Sequence, residues 1–338
     1  MTKTTVEIDG HRLHLNALIM RERDVSYQRH GYLSADEWRT GLLWRKDREA
    51  PVKGADAPTT MTAMPPSRSP SSVEESPTTR RKRFGSHMSV MKSFPDSSIS
   101  SPYYLVGSPE SMSEKICIHW RAQITEWMYH LVDMLDLSRE IVSISTFYLD
   151  QYHAKTHIDD EKAFQVVAMT SLHLAIKLHS RKKVAICAIA STGNGAVTVR
   201  DIEAMELSIM RCLDWHLFPP TSVSIIENFY PIIVSNPRDD GRGLLDNSLE
   251  FSLFLAELSV CSYPCVSVHP PSSIAIAAIL LGFEYFDIPD ETRDAFRRSV
   301  DGLAISVDSN SPEVEACGGL LRRLYALAMP ADTFFVGG

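Results

Sequence analysis

The chain has 338 residues, room for two globular domains of ordinary size, and 44% of them are hydrophobic, enough for sizeable cores. A formal net charge of −8 speaks against a general nucleic-acid binder, which needs a basic face. The six cysteines, Cys117, Cys187, Cys212, Cys261, Cys265 and Cys317, are scattered through mostly apolar helical patterns without zinc spacing, so reduced, buried thiols and no metal site are expected.

The opening stretch MTKTTVEIDGHRLHLN lacks the basic start and apolar core of a signal peptide. The longest apolar run, Ile274 to Phe283, is too short to span a bilayer. A soluble intracellular protein is expected. Residues 12–45 read as an N-terminal helical segment carrying Leu15, Leu18, Ile19, Tyr27, Tyr32, Leu33 and Trp38, with Ser34 capping a short helix through Leu43. Residues 46–112 are rich in Ser, Pro, Thr and Arg. They hold too little apolar surface to offset the entropy of ordering, so this segment is expected to be a disordered linker.

From residue 113 the pattern is densely helical. The first helix has its apolar stripe at Ile124, Trp127, Met128, Leu131, Val132 and Leu135. Ser138 caps the next, with Ile141, Ile144, Tyr148, Leu149 and Tyr152 on one face. Asp159 and Asp160 begin a helix over 160–179 that is apolar on most sides, the signature of the centre of a bundle. A short helix near 183–190 and a Gly-Asn-Gly loop follow. Thr198 and Asp201 have the spacing of a capping box for a helix that buries Ile202, Met205, Ile209 and Leu213, with Pro219 and Pro220 as its stop. A second block runs from Ser222, with helices over 222–234 (kinked at Pro231), 244–261, 271–286 and 313–328. No long alternating runs or hairpin signals occur, so an all-α protein of two blocks of about five helices is predicted.

Three charges stand on apolar helical ground: Arg121 one turn before Ile124, Lys177 at the end of SLHLAIKLHS, and Glu206 inside the Ile202–Ile209 stripe. Such a charge must be paired or must face a partner, because stranding it costs several kcal/mol (roughly). That pattern predicts a docking protein. Enzymatic signatures are missing: there is no Gly-rich phosphate loop, nucleophile elbow or His-Glu-x-x-His pair, and His173 reads as a packed core residue. Neither an enzyme nor a cofactor is expected.

The strings WRAQITEWMYHLVD, STFYLDQYH, TSLHLAIKLHS and AMELSIMRCLDWHLFPPTS, in this order and spacing, resemble a cyclin box. FLAELSVCSYPCVSVHPPSSIAIAAI resembles the second cyclin fold, and RERDVSYQRHGYL the helix that precedes the box in many cyclins. The resemblance implies two consecutive five-helix cyclin folds, the N-terminal box over 113–218 and the C-terminal fold over 219–330, after the N-terminal helix and the linker. It implies a regulatory subunit that binds and activates a cyclin-dependent serine/threonine kinase in the cell cycle. The alternative is a cyclin-fold transcription-related or scaffold protein that binds no kinase.

Residue by residue, the resemblance makes Arg121 and Asp150 a structural pair. It assigns Lys177 to carbonyl groups of the kinase and Glu206 to its backbone N–H groups, with Leu174, Leu178, Trp215 and Leu217 packing beside them. Where family members often carry phenylalanine followed by acidic residues, this chain has Leu178, His179 and Ser180. Trp127, Gln165 and Ile124 correspond to a groove for Arg-x-Leu substrate peptides, but Gln123 and His130 depart from its pattern and argue for a D-like or lineage-specific type. Val166 stands where leucine is usual. In the linker, Arg80, Arg81, Lys82 and Arg83 form a basic run suited to a nuclear import receptor. Ser69, Ser76, Ser101 and Ser108 each precede a proline, as proline-directed kinases require, and phosphate at Ser76 would mask the basic run. The expected location is nucleus and cytoplasm, with neither nucleic acid nor membrane as partner.

Overall fold

The computed structural model describes residues 3–24, 27, 112–234, 242–303 and 308–329. Twelve helices and no strands occur among them. Helix α1 spans Lys3–Arg23; α2 to α6 span Met112–Met134, Glu140–Thr156, Glu161–His179, Ile186–Ser191 and Val199–Cys212. A second set follows: α7 Ser222–Val234, α8 Arg242–Cys261, α9 Tyr263–Val268, α10 Pro271–Tyr285, α11 Asp290–Asp301 and α12 Pro312–Ala328. The fold is all-α, two five-helix units with the short α9 added to the second.

Each unit is built round one helix that is buried on nearly every side. In the first it is α4, packed on α2, α3, α5 and α6; in the second it is α10, packed on α7, α8 and α12. The α4 start is fixed by Asp160, whose carboxylate accepts the Ala163 N–H at 2.7 Å. From Phe164 to Ile176 almost every side chain is then buried. In α10 Gly282 lets α8 approach closely: a Cβ there would meet the Ser248 and Ser252 hydroxyls at 2.7 Å and the Ser248 carbonyl at 2.9 Å.

Several elements differ from expectation. Helix α1 begins at Lys3 rather than near residue 12, and the short helix expected from Ser34 lies outside the described residues, as does nearly all of the 46–112 segment. Helix α6 ends at Cys212, well before Pro219. Its last turn closes by Trp215 N–H to Met210 O at 3.0 Å and Asp214 N–H to Arg211 O at 3.1 Å, with Asp214 and Trp215 at φ 48° and 63°. A left-handed C-terminal turn, not proline, stops the helix. Helices α9 and α11 were not marked by the sequence pattern. The thiols are not uniformly buried either: Cys187 is exposed and Cys212 half-buried, whereas Cys261, Cys265 and Cys317 are buried.

Helix α1 belongs to the second core, where Leu15, Leu18 and Ile19 pack with Val223, Ile226 and Phe229. Its end is pinned twice. The Glu22 carboxylate accepts from the Ser272 N–H (2.7 Å) and hydroxyl (2.6 Å), capping the α10 N-terminus in place of the missing side-chain cap at Pro270. Tyr27 packs its ring against Phe147 and edge-on to His216, at 6.3 and 5.4 Å.

The two units are joined by a buried polar seam. Arg121, fully buried, donates from Nε and Nη2 to Asp150 at 2.8 and 3.0 Å, and from Nη1 to the Val260 carbonyl of α8 at 2.9 Å. Its guanidinium also lies 5.3 Å from the Tyr263 ring centre. Beside it, Arg139 bonds Asp133 at 2.8 and 2.6 Å and Glu257 at 2.7 Å, while the Tyr129 hydroxyl donates to the Glu257 carbonyl at 3.1 Å. Burial pulls the Arg139 pKa down, but Asp133 and Glu257 more than offset it, and the net direction is up. Nothing in the sequence pattern singled out Tyr129, Arg139 or Glu257. Val260 and Cys261 complete the seam by entering the first core.

Candidate docking surface

The last turn of α4 and the middle of α6 lie side by side because α4 packs along α6. On that contact Ala175 and Ile176 face inward from α4, and Ile202 and Ile209 from α6. The Thr198–Asp201 capping box holds the start of α6: the Thr198 N–H reaches Asp201 at 2.8 Å and the Asp201 N–H reaches the Thr198 hydroxyl at 3.2 Å. These contacts place Lys177 and Glu206 opposite each other at the surface.

The sequence pattern left these two charges to be paired or to face a partner, and the resemblance assigned them to groups of another molecule. Instead Lys177 Nζ bonds Glu206 Oε1 at 2.6 Å, with the lysine 55% and the glutamate 16% exposed. Both charges are therefore satisfied within the chain, but at the surface. Eight large hydrophobic side chains are exposed among the described residues, and four of them, Leu178, Leu207, Trp215 and Phe218, come from α4, α6 and the segment after α6, the elements that carry or follow this pair. Leu178 and Leu207 adjoin the charged residues in sequence. Trp215, 61% exposed, is carried outward by the left-handed turn after α6. Lys155 steadies that turn, bonding the Cys212 carbonyl at 2.6 Å and Asp214 at 3.5 Å.

Phe218 is held by neighbours that also close the core. Its ring centre lies 4.8 Å from that of His179. The Leu217 carbonyl accepts from the Tyr148 hydroxyl at 2.5 Å and contacts His179 Nε2 at 2.9 Å. Burial lowers the His179 pKa, so neutral imidazole is favoured in this contact. Arg21 of α1 reaches the Phe218 carbonyl at 3.1 Å.

Two residues assigned to the same surface are core residues instead. Leu174 is 1% and Leu217 6% exposed, so they support the surface from beneath. Leu207 and Phe218, not singled out in the sequence, are exposed instead. Leu207 carried a usable signal, being a large apolar residue off the Ile202–Ile209 stripe. His173, one turn before Lys177, is half-buried with no partner for Nδ1 among the described residues; burial lowers its pKa.

A cyclin N-terminal domain model matches residues 88–218, the stretch that contains this surface. The chain is similar to G2/mitotic-specific cyclin-2 of Medicago sativa, 25% identical over 175 residues, 51% of this chain and 50% of that protein. It is likewise similar to G1/S-specific cyclin-E1 of Mus musculus, 25% identical over 170 residues, 50% of this chain and 41% of that one. Residues 88–218 are thus similar to the cyclin N-terminal domain. The chain spans about half the length of the relatives it matches. Among solved structures, a viral cyclin from herpesvirus saimiri aligns with a TM-score of 0.48 at 14% identity, covering 65% of this chain and 88% of that one.

Elsewhere in the first unit, the three residues assigned to a peptide groove do not share one environment. Trp127 and Gln165 are half-buried on α2 and α4, while Ile124 is 7% exposed and part of the first core. The basic run Arg80–Arg83 and the serines at 69, 76, 101 and 108 lie outside the described residues. Among the described residues no group of three or more His, Cys, Asp or Glu side chains is arranged to hold a metal ion, and no helix is long and apolar enough to cross a membrane.

Proposed function

We propose that this chain is the regulatory subunit of a cyclin-dependent serine/threonine kinase and acts by binding rather than by chemistry. The observation that carries this reading is the exposure of four large apolar side chains, Leu178, Leu207, Trp215 and Phe218, on α4, α6 and the segment after α6, together with the surface Lys177–Glu206 pair on the same helices. Large exposed apolar patches on soluble proteins mark places where another protein binds. An exposed ion pair contributes only about 0–1 kcal/mol. A partner can therefore take it over, offering main-chain carbonyls to the ammonium group and N–H groups to the carboxylate. Docked there, the first unit would press on the kinase C helix and favour the orientation in which its glutamate pairs with the ATP-binding lysine. All catalysis stays with the partner, in a role in cell-cycle control. The basic run Arg80–Arg83 supports passage between cytoplasm and nucleus through an import receptor.

The test is reconstitution with purified cyclin-dependent kinases, reading both binding and phosphotransfer to a peptide. The parent chain is expected to bind and activate at least one. The exchange K177E/E206K keeps an internal ion pair with reversed polarity, so it should leave helix content unchanged and abolish activation. Full activation by the exchanged variant would refute the docking surface.

A further inference from the structure

At the edge of this surface the chain leaves α4 through Ser180, which is extended at φ −104° and ψ 141°. The Ser180 hydroxyl accepts the Lys182 N–H at 3.0 Å, and Lys182 Nζ is anchored on the Leu135 carbonyl at 2.6 Å. That turn displays Arg181, Lys182 and Lys183 side by side, all exposed, directly after Leu178 and His179. No carboxylate forms an ion pair with any of the three among the described residues. The nearby acids are otherwise engaged or do not reach: Glu206 is held by Lys177, Glu140 accepts the Thr221 hydroxyl at 2.5 Å, and exposed Asp136 makes no such pair. On a chain with net charge −8 this corner is a local reversal of sign close in sequence to exposed Leu178 and to His179, against which Phe218 packs.

We propose that Arg181, Lys182 and Lys183 form a specificity corner of the docking surface that selects a kinase presenting an acidic segment against it. This rests on the kinase-docking reading and adds which kinases fit. Exposed charges at the rim of an interface steer encounter and reject partners of like charge more than they add to final affinity. The overall negative charge strengthens the selection, because an acidic partner is repelled from other approaches. A nucleic acid is the less suitable occupant. Three cations beside a phenylalanine and a leucine neutralise few phosphates, and the acidic remainder of the chain opposes the rest.

The experiment measures binding of the full-length chain to a panel of purified cyclin-dependent kinases by surface plasmon resonance, at low and high ionic strength. Compared with it are R181E/K183E, which spares the anchored Lys182, and W215A. The expected result is that R181E/K183E weakens binding about tenfold at low salt and much less at high salt, since exposed charges are screened beyond the Debye length, which shrinks from about 30 Å at 0.01 M to about 3 Å at 1 M. W215A should weaken binding equally at both. Unchanged affinity and salt dependence for R181E/K183E, with W215A still defective, overturns the corner and leaves the docking surface standing. A panel in which no kinase binds the parent chain overturns both. Loss of binding to a short random DNA duplex in R181E/K183E, with kinase binding unchanged, also overturns it, assigning the corner to nucleic acid.

Discussion

Arg121–Asp150 and Lys177–Glu206 are both ion pairs between neighbouring helices of the first unit, with closest contacts of 2.8 and 2.6 Å. The first is 0% and 1% exposed, the second 55% and 16%. Length alone would rank them as equals; burial separates them. The buried pair has lost its water and is committed to Val260 and Tyr263 across the junction. Its attraction is offset by desolvation, so its main effect is to punish any change in one partner. The exposed pair keeps its water, contributes little, and is free to be exchanged. One pair joins the two units, and the other is available to a partner.

The largest expected effect tests the buried side. Asp150→Ala strands the Arg121 charge inside the seam and should lower unfolding stability by about 3–5 kcal/mol in chemical denaturation. Replacing both members by apolar residues of similar volume should recover much of that loss. A D150A protein as stable as the parent would show that water enters the seam, and the contrast between the pairs would fail.

Next in size is an effect on binding alone. Trp215 is 61% exposed, so Trp215→Ala should shift stability by no more than about 0.5 kcal/mol, while binding to the proposed kinase partner falls by about 2 kcal/mol or more. Calorimetry and denaturation on one preparation separate the two. A variant that loses stability and binding in proportion would place Trp215 with the seam rather than with the surface. Thr198→Ala gives an intermediate. It removes the hydroxyl half of the capping box and should cost about 1 kcal/mol, with a smaller loss of binding because Glu206 is placed by the helix that Thr198 starts.

The same contrast explains what could be read from the amino-acid order. Helices α4 and α6 were legible because their apolar residues and caps agree, from Asp160 to the Thr198–Asp201 box, and α10 by its nearly unbroken apolar run, without a side-chain cap. Helix α11 was not, because DETRDAFRRSVD buries only Phe296 and Val300, four apart, under a charged exterior. Helix α9 has six residues and no side-chain cap, too short for a period. At the candidate surface, Lys177 and Glu206 stood out as misplaced charges, yet their mutual pairing did not. That pairing depends on how α4 crosses α6, which no local pattern encodes. The exchange of Leu174 and Leu217 for Leu207 and Phe218 has the same origin. Tertiary packing decides which side of a helix end is covered.

The smallest effect is a pH dependence confined to the buried side. His153 follows Asp150 by one turn of α3, and its Nδ1 accepts the Ile158 N–H at 3.1 Å, closing the turn after the helix. An accepting Nδ1 carries no proton, so protonation there breaks the bond. Burial lowers the His153 pKa below its ordinary value near 6.5; Asp150 and Asp159 pull it back up, and His157 adds to the lowering. The unfolded chain therefore binds this proton more readily than the folded one, and stability rises with pH in that window. The contribution is complete above the unfolded value and is lost as pH falls from about 6.5 through the folded pKa. His153→Asn places an amide oxygen where Nδ1 accepts and cannot titrate, so its stability should vary less than the parent's between neutral and mildly acidic pH. If H153N and the parent lose stability in parallel on acidification, the imidazole is not what couples the seam to pH, and the other burial-lowered histidines, His173, His179 and His269, carry the response instead.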